Sequence, residues 1–175
     1  MKKSTKIRYV ASVKNDKKYW GSVLISWGTS FLHPELKPVS HLCIVLRDTL
    51  VIESVIKGGV RIIPYSHWKK TNTEVYSFSK EYEGSLSSYI PEVLEKTWGK
   101  KYDFRGILYF SWRMLLYILL KIDLPKVNPW EEHDKRFCVE IFGEKLSMIS
   151  PIQMVAIWLT DPSLERLPIE GQVDL

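Results

Sequence analysis

His41, Glu53 and Cys138 are the side chains of this 175-residue sequence whose types and settings fit one chemistry. His41 lies in the apolar run 39–47 (VSHLCIVLR), Glu53 in the next run 50–56 (LVIESVI), and Cys138 near the start of 137–147 (FCVEIFGEKLS). Singly, each has a plain structural reading: a hydrogen-bonded strand histidine, a paired core acid, a small hydrophobe. Together they say more. A carboxylate in an apolar run must be paired or neutralised, because an isolated buried charge is costly. Beside an imidazole, it fixes the tautomer and stabilises the imidazolium. A thiol at a helix start gains from the positive end of the macrodipole, which favours the thiolate. The amides of the same turn can hold a tetrahedral oxyanion. Cys138 as nucleophile, His41 as its base and Glu53 as the group orienting the base would form an acyl-transfer triad. Another polar group, such as a tyrosine, is the alternative to Glu53 in that last role.

The second cysteine, Cys43, stands two residues beyond His41 and so shares its strand face. A strand interior offers no macrodipole and no array of free amides, so Cys43 reads as core. His33, His67 and His133 lie in polar or turn-like stretches and read as surface residues. No cluster of His, Cys, Asp and Glu has metal-ligand spacing and no glycine-rich phosphate loop is present, so no cofactor or metal is expected.

The elements that must position these groups are legible in outline. Residues 22–27 (SVLISW), 39–47, 50–56, 59–64 (GVRIIP) and 74–79 (EVYSFS) are short and rich in β-branched and aromatic residues, as strands are. Asp48-Thr49 and Gly58-Gly59 are the tight connections of an antiparallel meander over 40–64. Beyond residue 83 helices are expected: 85–98, stopped by Gly99 and either starting or kinked at Pro91; 104–120; 137–147; and a helix from Ser150-Pro151, an N-cap followed by proline at the first helical position, to about Leu159. The tail 161–175 has no periodicity. A sheet of about five short strands followed by helices implies an α+β domain.

The net charge of +5 is concentrated at one end. Residues 1–18 carry seven cations against Asp16, +6, which leaves −1 for the remaining chain. This basic N-terminal segment reads as a solvated or frayed terminus, or else as an arm toward anionic lipid or nucleic acid. With no stacking motif beside it, nucleic acid is not an expected partner. No apolar export segment follows the basic start and two cysteines allow at most one disulfide, so a cytoplasmic location with free thiols is expected.

A family resemblance rests on the residues themselves. The sequence Ser40-His41-Leu42-Cys43-Ile44-Val45, then Val51-Ile52-Glu53-Ser54 and Gly59-Val60-Arg61, is followed by Trp98-Gly99-Lys100-Lys101-Tyr102-Asp103-Phe104 and Arg136-Phe137-Cys138-Val139-Glu140. It resembles the circularly permuted branch of the NlpC-type, papain-like thiol hydrolases, relatives of the lecithin–retinol acyltransferases, in which the histidine strand precedes the cysteine helix. The resemblance covers roughly residues 20–160 and implies a permuted papain-like catalytic domain at 19–160. It also implies Cys138 as nucleophile, His41 as base, Glu53 as the supporting acid and a structural role for Tyr102-Asp103. One departure is visible. The serine that usually follows the cysteine is Val139 here, which removes a hydroxyl from the helix start.

The stretch 107–120 (ILYFSWRMLLYILL) is apolar nearly all round. At 1.5 Å per residue it spans roughly 21 Å, short of the roughly 30 Å hydrocarbon layer. It reads as a helix buried beside the sheet, or as an interface with a partner or a lipid-like substrate, with weak peripheral membrane contact as a further option. The function this sequence implies is a cysteine-dependent, peptidase- or amidase-like hydrolase attacking an amide, ester or thioester. An acyltransferase using a lipid-like substrate and an inactive binding protein of the same fold are the alternatives. The acyl group and the oligomeric state stay open.

Overall fold

A computed structural model describes residues 4–15, 20–31, 33–55, 58–97, 101–102, 109, 112–113, 115–117, 119–122, 135–136, 138–142 and 149–169. Six antiparallel strands form the main sheet: β1 (Ser4–Lys14), β2 (His41–Leu46), β3 (Leu50–Val55), β4 (Gly59–Pro64), β5 (Asn72–Glu83) and β8 (Leu164–Arg166), in the order β4-β3-β2-β1-β5-β8. Two further strands, β6 (Lys101–Tyr102) and β7 (Lys135–Arg136), pair in parallel. The helices are α1 (Trp20–Ser30), α2 (Tyr65–Lys69), α3 (Leu86–Thr97) and α4 (Pro151–Thr160). The chain is therefore an α+β protein.

The expected meander is present. Its first turn is the three-residue loop Arg47–Thr49, which contains Asp48-Thr49 and adds Arg47; Arg47 and Asp48 both have positive φ (48° and 54°). Asp48 ion-pairs with Arg8 of β1, which holds the turn against the neighbouring strand. The second turn uses Gly58 at φ 111°, a backbone conformation that side-chain-bearing residues avoid.

Two expectations about the first thirty residues fail. Ser4–Lys14 is not a solvated basic terminus but the longest contact surface of the sheet, paired with β2 on one side and β5 on the other. Ile7, Tyr9, Ala11 and Val13 alternate with Lys6, Arg8, Val10, Ser12 and Lys14, so one edge of the strand is apolar and the other largely charged. β1 fills the place beside β2, and the run 22–27 does not join the sheet. It lies within helix α1 instead, where Val23, Trp27 and Phe31 fall on one stripe.

The remaining elements differ less from expectation. α3 runs through Pro91, so the helix does not begin there. Its start is fixed by the Ser85 carbonyl, which accepts from the amides of Ser88 and Tyr89. Gly99 lies outside the described residues. α4 starts as expected, with a full capping box: Ser150 Oγ accepts from the Gln153 amide at 3.3 Å and Gln153 Oε1 from the Ser150 amide at 3.0 Å. The tail contributes β8, which edges the sheet beside β5, with the Leu167 amide donating to the Ser77 carbonyl. α2, not foreseen, places Trp68 against the sheet, where it is fully buried.

The sheet is covered on both faces. One face carries Ile7, Tyr9, Ala11, Leu42, Ile44, Ile52 and Phe78, packed by α3, α4 and residues 138–142 in two clusters. Trp158 of α4 lies against Tyr9, Phe78 and Phe142 with ring centroids 5.0–5.5 Å apart. The other face carries Val10, Cys43, Val45 and Val51 under Trp68. This second face also holds two polar groups: Arg8 with Glu74, Ser77 and Tyr65, and the cluster around Glu53.

The described residues from Tyr109 to Leu120 are helical apart from the gaps. They are not a buried helix. Tyr109 is buried, but Trp112, Leu115, Tyr117, Leu119 and Leu120 are 40–67% exposed. Among the described residues no helix is long and apolar enough to cross a membrane.

Candidate active site

The site begins with the register of three strands. Counting from the three-residue loop Arg47–Thr49 pairs Cys43 with Glu53, so His41, two residues before Cys43, lies diagonally from Glu53 on the same face. That diagonal is closed by a hydrogen bond. His41 Nε2 and Glu53 Oε2 are 2.8 Å apart, with Glu53 fully buried and His41 7% exposed.

The next strand completes the carboxylate's shell. Glu53 pairs with Arg61 across β3 and β4. Arg61 donates from Nε at 2.9 Å and from Nη2 at 2.5 Å, both to Glu53 Oε1. Each carboxylate oxygen thus has its own charged or chargeable donor. Burial opposes ionisation of Glu53, yet the His41 hydrogen bond, the His41 charge and Arg61 outweigh it and hold the carboxyl down to about 2.

Cys138 arrives from the other end of the chain. The parallel pairing of Lys101–Tyr102 with Lys135–Arg136 sets the backbone two residues ahead of it beside β4. Cys138 then packs, 2% exposed, in the cluster that holds Val39 and Leu42, the neighbours of Ser40-His41. Cys138 lies close enough to the His41 side chain to raise its pKa. With Nε2 turned to Glu53, Nδ1 is the ring nitrogen not engaged by the carboxylate. Burial alone would disfavour the imidazolium. The interactions with Cys138 and Glu53 and the charge of both partners reverse that and raise His41 to about 9.

Of the three residues expected from the sequence, His41 and Glu53 are joined directly and Cys138 lies near the ring; Arg61 joins them through Glu53. Arg61 is not predicted by counting from Gly58-Gly59, which would set Pro64 opposite Glu53; the observed register, Val55 with Gly59, sets Arg61 there. The expected helix at Cys138 differs from what is observed. Over the described residues Cys138 and Val139 form a turn leading into one 3-10 turn, Glu140–Phe142, closed by the Phe142 amide on the Val139 carbonyl. One such turn carries little of a macrodipole, so the charge that faces the sulfur comes from His41. Residues 143–148 lie outside the described ones. Val139, in place of a serine, is fully buried in the same core cluster as Cys138.

Two more residues of β1 belong to the surroundings. Ser12 pairs with His41 in register at the β-bulge between Ala11 and Ser12, and its buried Oγ has no hydrogen-bond partner among the described residues. Lys14 lies further along the same face. Its ammonium is disfavoured chiefly by burial, offset in part by Glu53. Neither was foreseen, because residues 4–14 were not read as a strand. Cys43 is where alternation placed it. It is fully buried, and burial, reinforced by the negative charges of Glu53 and Glu74, pushes its thiol well above the ordinary range.

Tyr102 contributes backbone to β6, and Asp103 lies outside the described residues. Among the described residues no group of three His, Cys, Asp or Glu side chains is placed to hold a metal ion. Comparison with protein-family models, curated proteins and solved structures finds no match to the chain.

Proposed function

We propose that this protein is a cysteine-dependent hydrolase or acyl-transferring enzyme of the permuted papain-like type, with Cys138 as nucleophile. The observation that carries the reading is the hydrogen bond of His41 to a fully buried Glu53, with Cys138 close enough to raise the same ring's pKa. A structural histidine needs a partner, but it does not need a buried carboxylate and a nearby thiol together. The chain order, histidine strand before cysteine turn, also fits the permuted arrangement.

With His41 raised to about 9, the ring is an imidazolium at neutral pH. Its positive charge supports a thiolate at the adjacent sulfur. The thiolate attacks a carbonyl carbon, an S–C bond forms, and the carbonyl electron pair moves onto oxygen. As the tetrahedral intermediate collapses, His41 gives its proton to the departing amine, alcohol or thiol and the C–X bond breaks. Water or another acceptor then transfers a proton to neutral His41 and attacks the thioester. The S–C bond breaks and the thiolate–imidazolium pair returns. Glu53 stays ionised throughout and holds the ring orientation, while Arg61 keeps Glu53 charged.

The competing reading is a binding protein of the same fold. Low exposure of both Cys138 and His41 favours it, since a substrate must reach the sulfur. The deciding experiment is trapping with a panel of amide-, ester- and thioester-derived acyl electrophiles, followed by mass spectrometry of the adduct. The enzyme reading expects one acyl group on Cys138, none on Cys43, and loss of trapping in His41→Ala. An unmodified Cys138 across the panel, or equal acylation of both cysteines, would overturn it.

A further inference from the structure

Large apolar side chains that remain exposed are concentrated in two stretches of the chain. Nine of the twelve among the described residues come from α1 with its following residue and from the helical residues up to Ile122, so the exposure is a feature of these segments and not scatter. On α1, Val23, Trp27 and Phe31 are 52–56% exposed, and the Trp27 and Phe31 rings meet edge to face with centroids 5.0 Å apart. In the second segment, Leu119 and Leu120 are 67% and 61% exposed, and Trp112 is 49% exposed. Both segments also share a charge pattern. Residues 19–32 contain no charged side chain and directly follow Lys17-Lys18; residues 104–122 contain Arg105, Arg113 and Lys121 and no acid. Lys121 lies over the Tyr117 ring, 5.5 Å from its centroid.

We infer that the exposed apolar residues described in these two segments rest on an anionic lipid bilayer, which the protein contacts without crossing it. Trp and Tyr with Leu, flanked by Lys and Arg and free of Asp and Glu, match the boundary between acyl chains and negatively charged headgroups. A second copy of the chain fits less well, because a two-fold interface built on these segments brings the cations of one copy toward those of the other. No described helix is long and apolar enough to span the hydrocarbon layer, so contact is limited to its face. The basic residues of Ser4–Lys14 are tied into the sheet and play no part as an arm. The inference stands independently of the chemistry at Cys138. If both hold, α1 brings the bilayer near the site, since Ser22 of α1 hydrogen-bonds Ser40, the residue before His41.

The test is co-sedimentation of the full chain with vesicles of phosphatidylcholine alone and of phosphatidylcholine containing about 30 mol% phosphatidylserine. Binding is expected to the anionic vesicles at low salt, falling steeply by about 0.5 M salt. Replacing Trp27, Phe31, Leu119 and Leu120 by serine, with circular dichroism showing an unchanged fold, is expected to reduce partitioning at least about tenfold. Cys138→Ala is expected to bind like the parent. Absence of binding to anionic vesicles, binding untouched by the four serines, or vesicle-free dimers in sedimentation velocity that the serines dissolve would each overturn the inference. Vesicle binding without acyl trapping removes the proposed chemistry alone, and trapping without vesicle binding removes the bilayer contact alone.

Discussion

The His41 ring and the Glu53 carboxylate, twelve residues apart in sequence, meet at 2.8 Å across the diagonal of a β-hairpin, with the second carboxylate oxygen taken by Arg61. The contact is a property of the register. Moving either strand by one residue would send one of the two groups to the opposite face.

Glu53→Gln keeps the shape of the site and removes the charge. His41 is expected to fall from about 9 toward its ordinary value of 6.5, because the carboxylate's hydrogen bond and charge are among the causes of the rise. Stability is expected to drop by about 1–3 kcal/mol, less than the roughly 3–5 kcal/mol of a fully buried pair, since Arg61 is partly solvated. Titration of the His41 ring by NMR checks the first point and denaturant unfolding the second. An unchanged ring titration would mean that Glu53 does not set its charge state.

The two perturbed groups also set a pH window. The folded protein holds His41 above its ordinary value, so its stabilisation is complete below pH 6.5 and is lost as pH rises through about 9. Glu53 is held below its ordinary value, so its stabilisation is complete above pH 4.5 and is lost as pH falls through about 2. Thermal melts across pH should therefore show an alkaline decline that His41→Ala flattens. If His41→Ala keeps the same alkaline limb, the histidine is not its source.

Iodoacetamide at neutral pH distinguishes the two thiols. Cys138 faces the His41 imidazolium, whereas Cys43 is fully buried and held protonated by burial and by Glu53 and Glu74. Peptide mapping should show Cys138 alkylated at least about tenfold faster than Cys43. His41→Ala should narrow that difference. Equal and slow labelling of both cysteines contradicts activation of Cys138 by His41.

Ser12 gives a cleaner separation of stability from function. Its buried Oγ has no hydrogen-bond partner among the described residues, so Ser12→Ala removes an uncompensated polar group and should leave stability unchanged or raise it by up to about 1 kcal/mol. If the hydroxyl serves a bound acyl substrate beside His41, trapping at Cys138 should slow in the same variant. A loss of more than about 1 kcal/mol would show that the hydroxyl is already in use in the free protein.

The sequence by itself determined the elements with strong local signals. The Ser150-Pro151 start of α4 carries its own cap, and Gly58 permits its own turn. The β2–β4 meander follows from alternating apolar runs between turn residues. The exact register was not legible. A two-residue turn at Asp48-Thr49 would pair Glu53 with Ile44, on the face opposite His41. The three-residue loop Arg47–Thr49 instead pairs it with Cys43 and brings His41, Glu53 and Arg61 to one face. Local pattern did not reach the places where one segment excludes another. The run 22–27 has the composition of a strand, yet β1 occupies the sheet position beside β2 and 22–27 lies in α1. Residues 4–14 look like a charged tail because their cations alternate with the apolar positions, and only pairing with both β2 and β5 makes burial of Ile7, Val10 and Ala11 possible. Likewise, nothing near residue 138 in the sequence brings it to residue 41. Packing of Cys138 with Val39 and Leu42 does that, and it replaces the expected helix dipole with the charge of His41. Side-chain type and spacing are local and can be read from the chain. Which distant segment fills a given edge or pocket depends on competition among all of them, and that is decided only in the tertiary structure.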